Sequence, residues 1–403
     1  MNTRRTFLQQ TGCLTGAALL PTTLTAEETA SSTAISTLKP GEGKLLGKAK
    51  VVGEFNETAK KFRLDATGPK ARDFTLKMVW APERQRALFC GANHNVPHRI
   101  NDAWEFDLTT MTWSMLYAPD LPRDYTGIGK DFSDVVYKDG ILMTKRGGPA
   151  IIAHSWWGLA YDPVDKAMLL MNTWVTDRKK SVEQLGGDPK TLDESAPLWA
   201  FYPQTGTWKA LPTPPPYPKA PFGGMLEYVP ELKGTIWHTN NWQMQATWLY
   251  DRKSNTWKDL KENGDKKVFE KQAPQPEQIG YYDPHRKLLV VHRHYDTFHY
   301  DIAKNAWSQV RAGNKEDGKT PYGHDARSIF YEDTTNKGGL LFHFESDRFW
   351  WYSPDKVTWT PLTPTGDPIP KGSKRLGYFD PRHQVFVILA DTTVWAFRPP
   401  KMG

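Results

Sequence analysis

The sequence predicts an all-β protein built from about six repeats of a four-stranded antiparallel sheet. Paired apolar and aromatic runs flank short polar turns along the chain, and in its second half a tryptophan closes each such unit at a spacing of roughly 50 residues. Aromatic residues make up 13% of the 403 residues, and there are 31 glycines and 31 prolines. This composition is typical of a strand-rich globular protein with frequent turns.

The repeat is clearest between Ile279 and Val310. The segment IGYYDPHRKLLVVH has two alternating runs around an Asp-Pro turn, which indicates a hairpin, and FHYDIAKNAWSQV indicates a second hairpin. Together they predict one four-stranded sheet. The five corresponding segments are LKMVWAPERQRALFCG, WGLAYDPVDKAMLLMN, GMLEYVPELKGTIWH, SIFYEDTTNKGGLLFH and LGYFDPRHQVFVIL.

A single four-stranded sheet cannot bury both faces, so we expect the sheets to stack radially as the blades of a β-propeller. The closing tryptophans are expected to supply the contacts between blades. They are Trp113, Trp208, Trp257, Trp307 and Trp359. The sixth repeat ends after its third strand, so we expect an N-terminal segment, Ala49–Phe55 or Lys60–Ala66, to close the ring. A degenerate blade over Ser133–Gly148 would make seven blades.

The elements Tyr-Asp-Pro, Trp-x-Tyr-Asp and Asn-x-Thr-Trp, as in TWLYDRKSNTW (Thr247–Trp257), resemble those of the kelch-repeat β-propellers. That family includes galactose oxidase and the sialic acid mutarotases. The resemblance covers Phe74 to Pro400 and implies a kelch-like propeller with its ligand site on one rim. The usual Gly-Gly after the second strand is missing, so the likeness is to a divergent form of the family.

The first 26 residues predict an export signal, with a basic head, an apolar run and a small-residue exit. Thr3–Leu8 resembles the twin-arginine signal of bacteria, which implies a periplasmic or secreted protein. Residues 27–43 are expected to be a flexible linker and residues 44–403 a single propeller domain. No later apolar run has the roughly 20 residues of a membrane span.

Cleavage of residues 1–26 would remove two arginines and no acidic residue, so the net charge would fall from +7 to +5. This charge is mild and unclustered, and it argues against a nucleic-acid partner. An acidic or neutral glycan, or a periplasmic protein, is the expected partner of a monomer. Cys90 would be the only remaining cysteine, so no intrachain disulfide can form.

Three histidines occupy equivalent positions at the ends of second strands. Because the second strand runs antiparallel to the first, its end lies on the same rim as the start of the first strand, and two insertions, Ala118–Ala153 and Asn172–Pro197, wall that rim. The residues expected to act in catalysis are His238, His292, His343 and Arg327. Those expected to bind substrate are His154, Trp157, Asn172, Gln278 and Arg375.

Several interpretations of this rim stay open. The imidazoles could move protons while Arg327 and Arg375 hold a carboxylate, they could share a metal ion, or they could be structural hydrogen-bonding groups. The leading hypothesis is an exported propeller that binds or processes a carbohydrate, with uronic-acid lyase or epimerase chemistry. The alternative is a non-enzymatic periplasmic recognition or scaffold propeller. The resemblance to galactose oxidase adds a remote third hypothesis, which is a copper radical oxidase that uses Cys90. The sequence identifies no cofactor and assigns no metal ligand.

Overall fold

The structure is a computed structural model, which describes residues 33–92, 99–124, 127–152, 155–171, 178–193, 198–219, 223–242, 244–262, 268, 277–372 and 375–402. Within these ranges the chain forms six sheets of four or five strands, which are antiparallel except for one parallel edge strand in each of two sheets. The first strands of the sheets contact one another in a closed ring, which is the geometry of a β-propeller. The predicted all-β fold with six blades is confirmed, and the seven-blade alternative is wrong.

The strands, in chain order, are β1 (Glu42–Lys48), β2 (Lys50–Gly53), β3 (Val79–Ala81), β4 (Arg86–Cys90), β5 (Ala103–Asp107), β6 (Thr112–Tyr117), β7 (Val135–Lys138), β8 (Ile141–Thr144), β9 (Leu159–Asp162), β10 (Ala167–Met171), β11 (Leu198–Tyr202), β12 (Thr207–Ala210), β13 (Met225–Val229), β14 (Gly234–Asn240), β15 (Gln245–Asp251), β16 (Thr256–Asp259), β17 (Ile279–Asp283), β18 (Leu288–Arg293), β19 (Asp296–Asp301), β20 (Ala306–Arg311), β21 (Ser328–Asp333), β22 (Gly338–His343), β23 (Arg348–Ser353), β24 (Thr358–Leu362), β25 (Thr365–Gly366), β26 (Leu376–Asp380), β27 (Val385–Ala390) and β28 (Thr393–Phe397). The helices are α1 (Glu57–Lys61), α2 (Leu64–Thr67) and α3 (Arg178–Gln184), with 3-10 turns at Pro189–Thr191 and Pro230–Leu232.

Blades two to five contain β9–β12, β13–β16, β17–β20 and β21–β24, with neighbouring strands antiparallel. Blade one contains β3–β6, and β2 adds a fifth, parallel strand at the edge of β6. The first strand of each blade lies nearest the axis, where β3, β9, β13, β17, β21 and β26 contact in sequence. The described part of the chain contains no helix long and apolar enough to cross a bilayer.

Blade six is completed from the N-terminal part of the chain. Strands β26, β27 and β28 come from its C-terminal end, and β1 pairs antiparallel with β28 as the fourth strand. Closure by an N-terminal strand is therefore confirmed, but the segment differs from both candidates. Residues 49–55 contribute β2 to blade one, and residues 60–66 are mostly helical. The pairing joins segments about 350 residues apart, so no local pattern identifies it.

The closing tryptophans make the same aromatic pair in five blades. In each, the indole lies across from an aromatic residue of the third strand, as Trp257 does from Tyr250, with ring centroids 5.0 Å apart. The other four pairs are Phe106–Trp113, Phe201–Trp208, Tyr300–Trp307 and Tyr352–Trp359. All five tryptophans are buried, and Trp307 and Trp359 also pack on histidines of the preceding blade, which is the predicted contact between blades.

Polar residues of the repeat fix its turns. The Oδ1 atom of Asp283 accepts hydrogen bonds from the backbone N–H groups of His285 and Arg286, and Asp162, Asp333 and Asp380 act in the same way. These contacts confirm that the Asp-Pro segments are turn chemistry. In the second hairpin, Asn305 adopts a positive φ of 51° and accepts a hydrogen bond from Tyr300. Asn thus serves a left-handed turn, a conformation that it adopts more readily than most residues, although Met111 and Val357 hold the same position in other blades.

The segment Ser133–Gly148 forms the two-stranded hairpin β7–β8 and not a blade. It packs with α3 around Val182, Val135 and Leu142, which form a small apolar cluster apart from the ring. A hydrogen bond of 2.8 Å between the hydroxyls of Tyr137 and Thr191 joins the two long insertions. The insertions therefore support each other beside the propeller.

Candidate functional site

His292 is completely buried between blades four and five. Its Nδ1 lies 3.1 Å from the hydroxyl of Thr297, and its Nε2 lies 3.0 Å from the carbonyl of Pro321. The ring packs on Trp359 at 4.6 Å, and the Trp359 indole N–H donates to the same Thr297 hydroxyl. Because the carbonyl can only accept, Nε2 carries the proton and Thr297 donates to Nδ1. Burial lowers the pKa of His292 to about 4, so this network holds a neutral imidazole.

His238 repeats this arrangement between blades three and four. Its Nδ1 lies 3.1 Å from Thr247, its ring packs on Trp307 at 4.2 Å, and Trp307 donates to Thr247. Burial, with a smaller effect of Arg293, lowers the pKa of His238 to about 3. The two histidines therefore lie in separate blade interfaces, without exposed surface. Their predicted catalytic role stays a prediction, and their contacts are those of packing residues.

Three of the expected substrate-binding residues are also buried. Gln278 donates to the carbonyl of His238 and joins blades three and four. Trp157 donates to the carbonyl of Gly280 at 2.6 Å, and its ring faces Lys77. Arg375 is 1% exposed and donates to Asp347 and to the carbonyls of Pro370 and Phe344. His154 and Asn172 lie outside the described residues.

His343 and Arg327 do lie together on the rim. His343 is partly exposed, and its Nδ1 is 2.8 Å from the hydroxyl of Ser346. The opposite residue on the third strand is Arg348, where His238 and His292 have a threonine. Within the described residues, no hydrogen-bond partner meets His343 Nε2.

The residues around them form a surface that we call the rim cluster, comprising His294, Tyr322, His324, Arg327 and His343. The rings of His294, Tyr322 and His324 are nearly parallel, with centroids 5.3 to 6.5 Å apart. The Tyr322 ring lies 5.7 Å from the guanidinium of Arg327 and meets His343 edge-on at 6.1 Å.

The loop before blade five brings this cluster together. The backbone of His294, in a turn with φ of 51°, exchanges two hydrogen bonds with Gly323. This pairing sets Tyr322 and His324 beside His294. Gly323 is required here, because a Cβ would overlap the ring of His292. The sequence reasoning missed Tyr322, since its loop lies outside the repeat; Pro321-Tyr322-Gly323-His324, with turn residues around an aromatic, was the available signal.

The histidines of the rim cluster are held neutral. Burial, aided by the nearby Arg327, lowers the pKa of His324 to about 4. Burial also lowers the pKa values of His294 and His343. Arg327 is therefore the fixed cation of the cluster. Its side chain is 49% exposed and lies 3.4 Å from the exposed carboxylate of Glu345.

Asp325 lies beneath the cluster and is fully buried. Neither carboxyl oxygen has a hydrogen-bond partner among the described residues, and Oδ1 lies 3.6 Å from Nδ1 of His324. Burial raises the pKa of Asp325 well above its usual range, which favours the neutral form of its carboxyl.

The donor sets do not define a metal centre. Across the described ranges, no group of three or more His, Cys, Asp or Glu side chains is arranged to hold a metal ion. Cys90 is fully buried in β4, and burial raises the pKa of its thiol. The rim cluster instead offers neutral rings and one cation at a half-exposed surface.

No protein-family model and no curated protein sequence matches the chain. Among solved structures it is similar to an auxiliary nutrient binding protein from Bacteroides ovatus, with 10% identity and a TM-score of 0.48, over 88% of this chain and 76% of that one. A second such protein, from Bacteroides thetaiotaomicron, has 9% identity and a TM-score of 0.46, over 81% and 69% of the two chains. A chain of the nidogen/laminin complex has 6% identity and a TM-score of 0.44, over 72% and 81%. Likenesses this distant carry no argument about function.

Proposed function

We propose that the protein binds a carbohydrate bearing a carboxylate, such as a uronic-acid glycan, at the rim cluster. The observation that carries the proposal is the exposed Arg327 guanidinium beside the near-parallel rings of His294, Tyr322 and His324. Such ring surfaces offer apolar area for a sugar face at little entropic cost. A guanidinium pairs with a carboxylate through two parallel hydrogen bonds.

The charges of the rim favour an anionic ligand. The pKa values of the three cluster histidines are all lowered, so Arg327 supplies the positive charge at neutral pH. Its pair with Glu345 joins two exposed side chains at 3.4 Å, and pairs of this kind contribute little stability. A ligand carboxylate can therefore replace Glu345 at the guanidinium. The export signal predicted over residues 1–26 supports this proposal, because it would bring the rim to extracytoplasmic glycans.

The second candidate is processing of the same glycan by lyase or epimerase chemistry. His343 favours it, because its lowered pKa leaves a neutral imidazole. Its Nε2 is buried and has no hydrogen-bond partner among the described residues, so the ring has to turn to present this nitrogen to a ligand. A neutral imidazole can accept the acidic proton next to the carboxylate while Arg327 neutralises the developing charge. A propeller that only binds the glycan needs Arg327 and the rings of the rim cluster, and it does not need proton transfer by His343.

The test is binding of the folded protein to a panel of acidic and neutral oligosaccharides. We expect oligouronates to be retained and Arg327→Gln to lower their affinity about tenfold or more. Arg382→Gln is the matched control, because Arg382 is exposed on a turn of blade six that lies away from the rim. The proposal is wrong if no acidic glycan binds, or if Arg327→Gln binds oligouronates as well as the parent protein.

Retained oligouronates are then incubated with the protein and followed for unsaturated ends and for changed epimer composition. Either change that disappears in His343→Gln supports processing. Unaltered glycans leave binding alone as the function.

A further inference from the structure

A cavity opens at the opposite end of the propeller axis from the rim cluster. We call it the turn-face pit, because it lies where the first strands run into the turns that lead to second strands. Its volume is about 330 Å³, and residues from all six first strands line it. This volume suits a small organic molecule. The rim cluster uses none of its residues.

The pit wall is unusually rich in tyrosine. Six of the residues that line it are tyrosines, and Trp80 adds an indole. One of them, Tyr281, is only 3% exposed, and its hydroxyl has no hydrogen-bond partner among the described residues. That hydroxyl has almost no exposed surface, so the wall that Tyr281 and its neighbours present to the pit is aromatic.

One carboxyl in the described lining of the pit has no hydrogen-bonded cation. Lys77, the one cation in its described lining, is already neutralised, since its Nζ donates to Glu227 and to the carbonyl of Leu226. Glu332 remains, and its Oε1 lacks a hydrogen bond within the described chain. The nearest basic group is Nε2 of His285, at 3.8 Å.

We propose that the turn-face pit binds a small organic ammonium ion, with Glu332 as its counter-charge. The aromatic walls attract a cation through the negative faces of their rings, and they exclude the water that would otherwise solvate it. The ionised carboxylate of Glu332 supplies the negative charge that pairs with the bound cation. The proposal does not depend on the glycan proposed for the rim.

Binding should be linked to the ionisation of Glu332. Burial, followed by the carboxylates of Asp283 and Asp333, raises the pKa of Glu332 to about 8 in the free protein. A bound cation favours the ionised form, so below this pH it must displace a proton. The apparent affinity should therefore rise by up to about tenfold per pH unit and level off near pH 8. The other charged groups near Glu332 are Glu227 with its partner Lys77, and His285; Arg286 is paired with Asp283.

The experiment compares choline with its uncharged isostere dimethylbutanol, and butylammonium with butanol, by calorimetric titration of the full chain. We expect a cation to bind at least about tenfold more tightly than its neutral counterpart, and Glu332→Gln to remove that preference. Glu345→Gln, which removes a carboxylate at the rim, is the control and should leave choline binding unchanged.

The proposal is overturned if neither cation binds at millimolar concentration, if the neutral isosteres bind equally well, or if Glu332→Gln keeps the cation preference. Should Glu332→Gln fail to fold, the pH dependence of choline binding to the parent protein provides the second test. An affinity that does not change between pH 6 and 8 then contradicts the role of Glu332.

Discussion

At the residue scale, the partner across the strand decides what each equivalent histidine does. Thr297 faces His292 and Thr247 faces His238, and each threonine also accepts the indole N–H of the next blade's tryptophan. His343 faces Arg348 and stays at the surface. The sequence placed the three histidines at one structural position, and the threonines were visible in it. The role of each threonine depends on contacts between blades, and a repeat pattern does not specify those contacts.

The buried histidine predicts a loss of stability in acid. The pKa of His292 is about 4 in the fold, against an ordinary value of 6.5, so the unfolded chain binds the proton first. The contribution of His292 is complete above pH 6.5 and is lost as the pH falls toward 4. A shift of about 2.5 pKa units corresponds to about 3 kcal/mol. In denaturant unfolding at several pH values, the free energy of unfolding should fall more steeply with decreasing pH for the parent protein than for His292→Gln.

Val164→Ala, at a side chain that is 71% exposed, is the control for this comparison, and it should leave the slope unchanged. The comparison uses the difference between the parent protein and His292→Gln. In both proteins, the raised pKa of Glu332 lowers the free energy of unfolding as the pH rises from 4.5 to about 8, which opposes the effect of His292. Parallel curves for the parent protein and His292→Gln would refute the neutral buried imidazole.

At the element scale, β1 completes the ring in place of a C-terminal strand. Gly43 of this strand lies opposite Phe397, and a Cβ on Gly43 would overlap the indole of Trp395. Trp395 is fully buried and donates to the carbonyl of Asp367 at 3.1 Å, so it cannot move without losing that bond. The third-strand indole thus fills the place beside the fourth strand that a closing tryptophan fills in other blades.

Gly43→Ala should therefore lower the free energy of unfolding by about 1–3 kcal/mol through overpacking. Leu45→Ala on the same strand is the control, because Leu45 is 48% exposed and its change should have a small effect. Thermal unfolding of both variants measures the difference. Equal midpoints would mean that β1 does not close the ring as described.

At the scale of the whole molecule, the repeat explains what the sequence could predict. Blade number, the tryptophan contacts and the aspartate turns follow from short segments that recur, so local patterns identify them. The closing strand, EGKLLGK, carries no such signal, because its partner lies at the other end of the chain. The repeat pattern did not predict the rim cluster for a similar reason, because Tyr322 and His324 lie in a loop between repeats. Tyrosines such as Tyr281 in the first strands read as packing residues, although they line the turn-face pit.

The molecule thus presents two surfaces of opposite charge preference at the ends of one axis. Arg327 favours an anion at the rim, and Glu332 favours a cation in the turn-face pit. The ring of blades holds both in fixed positions, because each first strand extends from one end of the axis to the other.

The most direct test of the central claim is calorimetric titration of an oligouronate into the parent protein, Arg327→Gln and Glu345→Gln. Because Glu345 competes for the guanidinium, its removal should strengthen binding, by about twofold to fivefold for an exposed pair. Removal of Arg327 should weaken binding about tenfold or more. The predicted result is an affinity that is highest for Glu345→Gln, intermediate for the parent protein and lowest for Arg327→Gln. Equal affinities for all three proteins would contradict a carboxylate site at the rim cluster.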